Sequence, residues 1–390
     1  MKTVYAISEN IISSLGFTAS GNAESLLSGT TGIRIHHDGN LFPNPVPLSL
    51  VDTLEMENRF EGVLDIYKKG QQPSSYARLE KMLILSVYDA IQNLSIKPEN
   101  ERVILILSTT KGNIDLLEDR FKAKFDHKRV YLWAVGAVLR DFFGFLNTPL
   151  IISNACISGV MALITASRLL RAGNYDTAVV TGGDIVTEFV ISGFQSFQAL
   201  SAEPCRPFDI HRSGLSLGEG CGTIVLSTNP EDGEKDRILI MGGSVSNDAN
   251  HISGPSKTGE ELCMAINKSL KESGIEPAAV DFISAHGTAT PFNDEMEAKA
   301  ISLSKMNDVP LNSFKGYWGH TLGASGVMES AALMQSMKMN RLFKSAGFEI
   351  LGVPEKINVI PETIIKPVYT CLKIASGFGG CNAALVFQKT

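Results

Sequence analysis

The sequence predicts an α/β fold organised around a mostly parallel sheet that is covered by helices on both faces. Predicted strands alternate with predicted helices along most of the chain, which is the pattern of such folds. The strand 103–107 is a continuous apolar run, as expected where both faces of a sheet are buried, and 177–183 is predicted to be another buried strand that ends on glycines. The chain also contains 35 glycines, many at turns after strands, where they let the backbone approach a ligand closely.

The composition is that of a soluble enzyme rather than a nucleic-acid or membrane protein. The 390 residues are 44% hydrophobic and 19% charged, which is enough apolar material for one large unit or two fused halves. The formal net charge of −6 disfavours general binding to nucleic acid or to anionic lipid. The sequence has no run of about 18 apolar residues, so we expect no insertion into a membrane.

The six cysteines are scattered, and no two of them form a C-x-x-C pair. We therefore predict neither a structural zinc site nor a disulfide framework, and we expect no bound metal. Residues 1–18 contain Glu9 and Asn10 within their apolar run, which disfavours a secretory signal. A reducing cytoplasm is the expected location.

The elements alternate in both halves of the chain. In the first half, residues 1–235, we predict strands at 2–8, 103–107, 149–152, 177–183 and 223–226, and helices at 23–27, 76–94 and 160–170. Residues 36–60 lack a period and are predicted to be irregular. A polar, turn-rich stretch at 229–236 predicts the boundary. In the second half, residues 236–390, we predict strands at 238–241, 279–284, 310–314, 369–375 and 382–388, and helices at 258–273, 293–304 and 323–338.

Cys156 lies between a predicted strand and a predicted helix. At or near the first turn of that helix, unpaired N–H groups and the helix dipole would favour a reactive thiolate. The alternative is a buried cysteine that packs as a small hydrophobic residue. The stretch by itself leaves both interpretations open.

His286 and His320 each follow a predicted strand and lead into a glycine-rich turn. Strand ends are where open α/β sheets hold their functional sites. Either histidine could equally be a hydrogen-bonded residue of the core. A zinc site made of Cys156 and these two histidines would lack a fourth ligand and the usual close spacing.

Three motifs together resemble those of the β-ketoacyl-(acyl carrier protein) synthases. They are Asn154-Ala155-Cys156 before a helix, His286-Gly-Thr-Ala-Thr-Pro, and Lys315 followed by Gly319-His320-Thr-Leu-Gly-Ala-Ser-Gly. The glycine loop Gly377-Phe-Gly-Gly-Cys-Asn also resembles one of the family. The chain is most similar to the elongating ketosynthases that use Cys-His-His. The resemblance implies a thiolase-like fold of two similar halves, each with a mixed, mostly parallel five-stranded sheet, in α-β-α-β-α layers.

The resemblance also implies catalytic roles. Cys156 would be the nucleophile that accepts the acyl group, in the half formed by residues 1–235. His286 and His320, both in the half formed by residues 236–390, would assist the decarboxylation of a malonyl unit by donating imidazole N–H groups. The backbone N–H groups of Cys156 and Phe378 would form the oxyanion hole. Two neutral imidazoles are suited to stabilising the enolate that the loss of CO₂ leaves.

Further roles follow for residues near the histidines. Lys315 and Glu297 would form a buried ion pair, without which a buried lysine is costly. Thr288 and Thr290 would contact the pantetheine arm. Phe378 would also gate the acyl pocket.

Two features depart from the family pattern. Ile157 follows the nucleophile where a small residue is usual. Trp318 stands beside His320 where a smaller side chain is usual, and we expect it either to reshape the substrate cavity or to pack in the core.

The predicted function is the decarboxylative Claisen condensation of an acyl group on Cys156 with malonyl carrier protein, in fatty acid, polyene or polyketide synthesis. The substrates would be carried on phosphopantetheine, with no other cofactor. One alternative is a catalytically silent partner that resembles a chain length factor. The other is a thiolase-fold acyltransferase that does not decarboxylate its substrate.

The predicted partners are an acyl carrier protein and a second ketosynthase-like subunit. An acidic carrier needs a local basic patch on a chain of net negative charge. By resemblance we assign Arg206 to it, with Lys69 and Arg129 as weaker candidates. A homodimer is expected, possibly a heterodimer, with strand 177–182 at the interface.

Overall fold

The computed structural model describes residues 2–37, 45–121, 124–230, 237–249 and 254–390. The predicted boundary at residues 235 and 236 lies outside these described residues. Among the described helices, none is both long and apolar enough to cross a membrane.

The strands and helices of the described residues follow in chain order. The strands are β1 (Tyr5–Ile12), β2 (Arg34–His36), β3 (Val46–Ser49), β4 (Val103–Ser108), β5 (Leu150–Ile152), β6 (Thr177–Asp184), β7 (Leu217–Gly218), β8 (Gly220–Ser227), β9 (Ile238–Asn247), β10 (Phe282–Ser284), β11 (Leu311–Asn312), β12 (Arg341–Leu342), β13 (Ile364–Ile365), β14 (Thr370–Gly377) and β15 (Cys381–Lys389). The helices are α1 (Ala19–Ser28), α2 (Thr53–Tyr67), α3 (Arg78–Ile91), α4 (Leu132–Phe143), α5 (Ser158–Arg171), α6 (Glu188–Ser196), α7 (Glu260–Ser273), α8 (Pro291–Leu303), α9 (Lys315–Trp318) and α10 (Ser325–Met339).

Ten strands form one sheet in the order β11-β10-β14-β15-β9-β1-β8-β6-β4-β5. Its two halves repeat one pattern. In each half, three neighbouring strands are parallel (β6, β4 and β5, or β14, β10 and β11), and one antiparallel strand, β8 or β15, separates them from the fifth. Four strands of every five therefore run in one direction, which confirms the predicted mixed, mostly parallel sheets. The halves join through the short pairing of β1 with β9.

The helices form three layers around the two halves of the sheet. α5 and α10 pack against each other between the halves, α3 covers the outer face of the first half, and α7 covers that of the second. α10 is buried on nearly all sides, as expected of a helix between two sheets. The layering is the predicted α-β-α-β-α arrangement.

The prediction that residues 36–60 are irregular is partly wrong, because β3 and residues 53–60 of α2 lie within this stretch. Asp52 caps α2 by accepting a hydrogen bond from the backbone N–H of Glu55 (2.8 Å). Met56 and Phe60 lie on its buried face at helical spacing, but the surrounding acidic and polar residues mask this period. The sequence analysis also missed α4 and α6.

The predicted interface strand is an interior strand of the sheet. β6 is hydrogen-bonded to β4 on one side and to β8 on the other, so neither of its edges is available to a second subunit. β5 lies at the end of the sheet beside β4.

Candidate active site

Cys156 lies in a tight turn between β5 and α5. Ala155 has a φ of 45°, in the left-handed region that residues with a side chain rarely adopt. Ser158 Oγ stabilises the turn by accepting from the backbone N–H of Asn154 (2.8 Å) and donating to the carbonyl of Ala155 (2.6 Å). A strained strand-to-helix turn of this kind presents a nucleophile to a cavity.

His320 faces the sulfur of Cys156. Its backbone is fixed by two hydrogen bonds to 216–218: its N–H donates to the carbonyl of Ser216 (2.7 Å), and its carbonyl accepts from the N–H of Gly218 (3.1 Å). The backbone N–H of Leu322 donates to His320 Nδ1 (3.1 Å). Since Nδ1 accepts, the neutral ring carries its proton on Nε2. Nε2 lies 3.1 Å from Cys156 Sγ, so this N–H points at the sulfur.

His286 is held in the same tautomer by Lys315. The Lys315 ammonium lies 3.2 Å from His286 Nδ1 and donates to the carbonyl of His286 (2.6 Å). An ammonium can only donate, so Nδ1 accepts and the ring proton is on Nε2. The rings of His286 and His320 are nearly perpendicular, at 83°, with centroids 5.2 Å apart.

Both histidines are neutral imidazoles. Burial lowers the pKa of each well below its usual value, and the positive charge of Lys315 lowers it further. Each ring therefore offers a single N–H donor, and neither has a free lone pair with which to act as a base.

Lys315 pairs with Glu329 rather than with the predicted Glu297. Its Nζ lies 2.7 Å from Glu329 Oε1, and Lys373 Nζ lies 2.6 Å from Glu329 Oε2. All three side chains are at most 1% exposed. Two buried lysines thus share one carboxylate behind the histidines.

Glu297 supports the backbone instead. Its carboxylate accepts hydrogen bonds from the N–H of His286 and, at 2.8 Å, from the N–H of Gly287. Burial raises the pKa of Glu297. The predicted pair was wrong because Glu297 lies on α8, where it reaches the backbone of the His286 turn, whereas α10 brings Glu329 to the ammonium.

The thiol of Cys156 is protonated in the resting protein. Burial raises its pKa to about 11, although the charge of Lys315 and the backbone N–H of Phe378 limit the rise. Cys156 lies two residues before α5, outside the first turn, so the expected thiolate is not the resting form.

Cys156 Sγ and a ring nitrogen of each histidine lie within 4.8 Å of one another, a grouping that could be taken for a metal site. A metal needs an unprotonated ring nitrogen. In both rings the nitrogen without a proton, Nδ1, already accepts a hydrogen bond, and Nε2 carries the proton. The donor set therefore fits an anion better than a cation.

The active-site cavity has a volume of about 390 Å³. The predicted residues Cys156, His286, His320, Thr288, Thr290 and Phe378 line it, and Lys315 and Glu297 lie behind the wall. The two threonine hydroxyls are 2.8 Å apart. Phe194, Phe197, Phe292 and Met296 add apolar walls.

Phe378 has two contacts that fit its predicted roles. Its backbone N–H faces Cys156 Sγ, where it lowers the pKa of the thiol. Its ring packs against Phe194 and Phe197 of the α6 region, with centroids 5.7 and 5.2 Å away.

Trp318 packs in the core and does not line the cavity. It is fully buried and stacks on Phe314, with ring centroids 5.7 Å apart. The cavity-facing residue of this segment is His320, because Gly319, with a φ of 70°, turns the chain after α9.

The close crossing of α5 and α10 brings the nucleophile and His320 together. A Cβ added to Gly159 would lie 2.6 Å from the backbone nitrogen of Val327 and 2.8 Å from Gly326 Cα. Only glycine therefore permits the two helix starts to approach this closely.

The predicted docking residues fall into two groups. Arg206 and Lys69 are exposed, and their docking role stays a prediction. Arg129 is used in the fold instead: its guanidinium pairs with the buried Glu80 (Nε to Oε1, 3.0 Å). Its predicted docking role is therefore not supported.

The sequence analysis missed Glu329, Lys373, Phe194 and Phe197. A glutamate inside the otherwise uncharged segment 325–337 was a signal for Glu329, because a buried carboxylate needs a cationic partner. The isolated lysine in the apolar strand 369–375 was the matching signal for Lys373. The two phenylalanines lie on or beside α6, which was not predicted.

Comparisons with known proteins agree on one family. Residues 20–232 match the family model described as "Beta-ketoacyl synthase, N-terminal domain", and residues 238–349 match "Beta-ketoacyl synthase, C-terminal domain". A mitochondrial 3-oxoacyl-[acyl-carrier-protein] synthase of Arabidopsis thaliana is 31% identical, over 63% of this chain and 58% of the relative. A 3-oxoacyl-[acyl-carrier-protein] synthase 2 of Staphylococcus aureus (strain COL) is 32% identical over 60% of each chain.

Solved structures show the same fold. A ketosynthase–chain length factor complex from Xenorhabdus doucetiae matches with a TM-score of 0.85 and 24% identity, over 100% of this chain and 98% of that chain. The ishigamide ketosynthase/chain length factor matches with a TM-score of 0.88 and 22% identity over 99% of each chain. Since the two family models cover most of its length, the chain belongs to the β-ketoacyl synthase family.

Proposed function

We propose that the chain condenses an acyl group carried on Cys156 with a malonyl unit carried by an acyl carrier protein, and releases CO₂. The observation that carries the proposal is the pair of neutral histidines whose Nε2 protons are fixed beside the sulfur. Two such donors are suited to holding a thioester oxygen that becomes an enolate.

The first step transfers the acyl group to the enzyme. The thiolate of Cys156 attacks the thioester carbonyl, and the N–H groups of Cys156 and Phe378 would hold the oxyanion. The new Sγ–carbon bond forms as the bond to the pantetheine sulfur breaks. The proton that the Cys156 thiol gives up ends on the departing pantetheine sulfur, which leaves as a thiol, so no side chain keeps a proton after the transfer. The apolar walls formed by Phe194, Phe197, Phe292 and Met296 would surround the acyl chain and limit the access of water that hydrolyses an acyl thioester.

The second step forms the new carbon–carbon bond. The malonyl carboxylate leaves as CO₂, and its bonding electrons pass to an enolate whose oxygen accepts hydrogen bonds from His286 and His320. The enolate carbon then attacks the acyl carbonyl, and the collapse of the intermediate expels the sulfur of Cys156. Burial, together with the positive charges of Lys315 and Lys373, lowers the pKa of both imidazoles, so in this step they donate N–H groups rather than exchange protons.

The same proposal extends to partners and location. Thr288 and Thr290 lie in the cavity where a pantetheine arm would pass, and Arg206 would contact the acidic carrier. The relatives' names specify acyl carrier protein, and the names of two solved neighbours include a chain length factor. We propose a dimer, of identical or ketosynthase-like subunits. A cytoplasmic location stays a prediction from the six unpaired cysteines.

The test separates decarboxylation from acyl transfer. We would measure the release of labelled CO₂ from malonyl carrier protein by the acylated wild type and by the His286→Ala and His320→Ala variants. We expect release by the wild type and a loss of at least about 100-fold in each variant, with acylation of Cys156 retained. Acylation without CO₂ release by the wild type would favour the non-decarboxylating acyltransferase.

A further inference from the structure

Lys373 is a buried lysine on the strand beside the one that leads to His286. β10 and β14 are parallel neighbours, and Ser284 lies opposite Lys373 in the register. β10 ends at Ser284, two residues before His286, whereas β14 continues to Gly377. The Lys373 side chain is fully buried. Burying an ammonium is costly unless it is well paired, so the contacts of Lys373 show what its charge does.

The Lys373 ammonium is surrounded by oxygen atoms. Its Nζ donates to the carbonyls of Ser284 (3.2 Å) and Ala285 (3.1 Å), at the end of β10. It also donates to the carbonyl of Ile374 (2.8 Å) and lies 2.6 Å from Glu329 Oε2. Burial lowers the pKa of Lys373, whereas Glu329 raises it. An uncharged amine would turn its lone pair towards one of these acceptors, so the charged form is the one that fits.

The backbone around His286 is held by charged side chains. The carbonyls of residues 284 and 285 accept from Lys373, and the carbonyl of His286 accepts from Lys315 (2.6 Å). The N–H groups of His286 and Gly287 donate to Glu297. Lys373 therefore supplies the donors for the two peptide units that precede His286, and its removal would free this strand end to shift beneath the imidazole.

Lys373 also determines where the ammonium of Lys315 lies. Glu329 offers one oxygen to each lysine: Oε1 lies 2.7 Å from Lys315 Nζ, and Oε2 lies 2.6 Å from Lys373 Nζ. Lys315 Nζ in turn lies 3.2 Å from His286 Nδ1. Without Lys373, both oxygens of Glu329 would be left to Lys315, which would draw its ammonium towards the carboxylate and away from Nδ1. The tautomer of His286 thus depends on Lys373 through Glu329 and Lys315.

We propose that Lys373 is a positioning residue for decarboxylation: its ammonium holds the strand end before His286 and, through Glu329, holds Lys315 on His286 Nδ1. The Nε2 proton of His286 is thereby kept where the enolate oxygen forms. The catalytic meaning of this inference rests on the proposed function. The positioning itself, a single Nε2–H tautomer of His286, can be measured without any substrate.

The experiment compares variants that each remove one lysine ammonium. Lys373→Met keeps most of the length of the side chain, and Lys373→Gln keeps N–H donors without the charge. Both should fold, because Glu329 retains Lys315 and no buried charge is left unpaired. The matched control is Lys389→Met: Lys389 also donates to a buried carbonyl, that of Met337 in α10 (2.6 Å), but it lies at the end of β15 away from the site.

Two measurements are made on each protein. The tautomer of His286 is determined from its ring-nitrogen chemical shifts, by NMR of protein labelled at histidine nitrogen, with His286→Ala identifying the signals. The rates of Cys156 acylation and of CO₂ release from malonyl carrier protein are then measured separately.

We expect wild type and Lys389→Met to show only the Nε2–H tautomer of His286. Lys373→Met should show a mixture of the two tautomers and release CO₂ roughly 10- to 100-fold more slowly, with acylation of Cys156 nearly unchanged. Lys373→Gln should show a smaller change in the same direction. A merely structural role would instead slow acylation as well and leave the tautomer of the folded protein unchanged.

A single Nε2–H tautomer in folded Lys373→Met and Lys373→Gln would overturn the proposal. An equal change in Lys389→Met would overturn it too, as would a tautomer mixture in the wild type, which needs no variant to be recorded. A change of tautomer in the Lys373 variants, without CO₂ release by the wild type, would support the positioning role and count against the proposed function instead.

Discussion

At the scale of single residues, the site depends on which groups carry protons. Nδ1 of each histidine accepts a hydrogen bond, from Leu322 N–H in one case and from Lys315 in the other. Both Nε2 protons are thereby directed into the cavity. The buried Glu329 carboxylate lies between the ammonium groups of Lys315 and Lys373 and offsets part of their charge, which limits the cost of burying them.

The pH dependence of Cys156 follows from its burial. Burial raises the pKa of the thiol to about 11, so the thiolate fraction is roughly one in a thousand at pH 8. As long as the pH stays below the pKa, each increase of one pH unit raises this fraction about tenfold. We expect the rate of alkylation by iodoacetamide at Cys156 to rise in this way from pH 7 to pH 9.5. A plateau reached below pH 8 would show that the thiolate is the resting form.

At the scale of elements, the crossing of α5 and α10 sets the distance between the nucleophile and His320. The sequence predicted both helices and the strand before Cys156, because α5 carries a clear apolar period and the strand is a short apolar run. It could not predict that Lys315 pairs with Glu329, since the partner depends on how α10 lies against α9. The position of Trp318 could not be predicted for the same reason. It lies two residues before His320 in the sequence, but it packs on Phe314 in the core.

Gly159→Ala tests the helix crossing. The added methyl group would meet the backbone of α10 at 2.6 Å, so the helices must separate. We expect a loss of about 1–3 kcal/mol in the free energy of unfolding and a larger proportional loss of acylation. Gly62→Ala in α2 is the matched control, because nothing lies within 4 Å of its added Cβ, and it should gain up to about 1 kcal/mol. Equal effects in the two variants would contradict the account.

At the scale of the whole molecule, an acidic chain must present a local basic surface to an acidic carrier. Arg206 is exposed and only loosely paired with Glu349, at 3.9 Å, whereas Arg129 is bound to buried Glu80. We expect Arg206→Glu to weaken carrier binding without changing the free energy of unfolding.

Arg129→Gln should instead lower the free energy of unfolding by about 3 kcal/mol and leave carrier affinity unchanged in the folded protein. Titration calorimetry measures carrier binding and urea unfolding measures stability, so the two methods together distinguish the Arg206 variant from the Arg129 variant. Weaker carrier binding by folded Arg129→Gln would show that Arg129 does contribute to docking.

The repeated half-sheet also explains why the architecture was easier to predict than the site. Strands buried on both faces produce continuous apolar runs that a sequence displays directly, as in 103–107. The site combines the end of β5, the turns around His286 and His320, and the loop before β15. Only the packed molecule brings these four segments together, and only the family resemblance indicated beforehand that they would meet.

In the proposed reaction, Cys156 carries the acyl group that is then condensed. The most direct measurement is the intact mass of the wild type and of Cys156→Ala after incubation with a panel of acyl carrier proteins, before and after malonyl carrier protein is added. We expect a gain of one acyl mass in the wild type alone, followed by the loss of that mass as a carrier gains the β-ketoacyl mass. The absence of an adduct with every donor would contradict it and would indicate a silent partner of another ketosynthase.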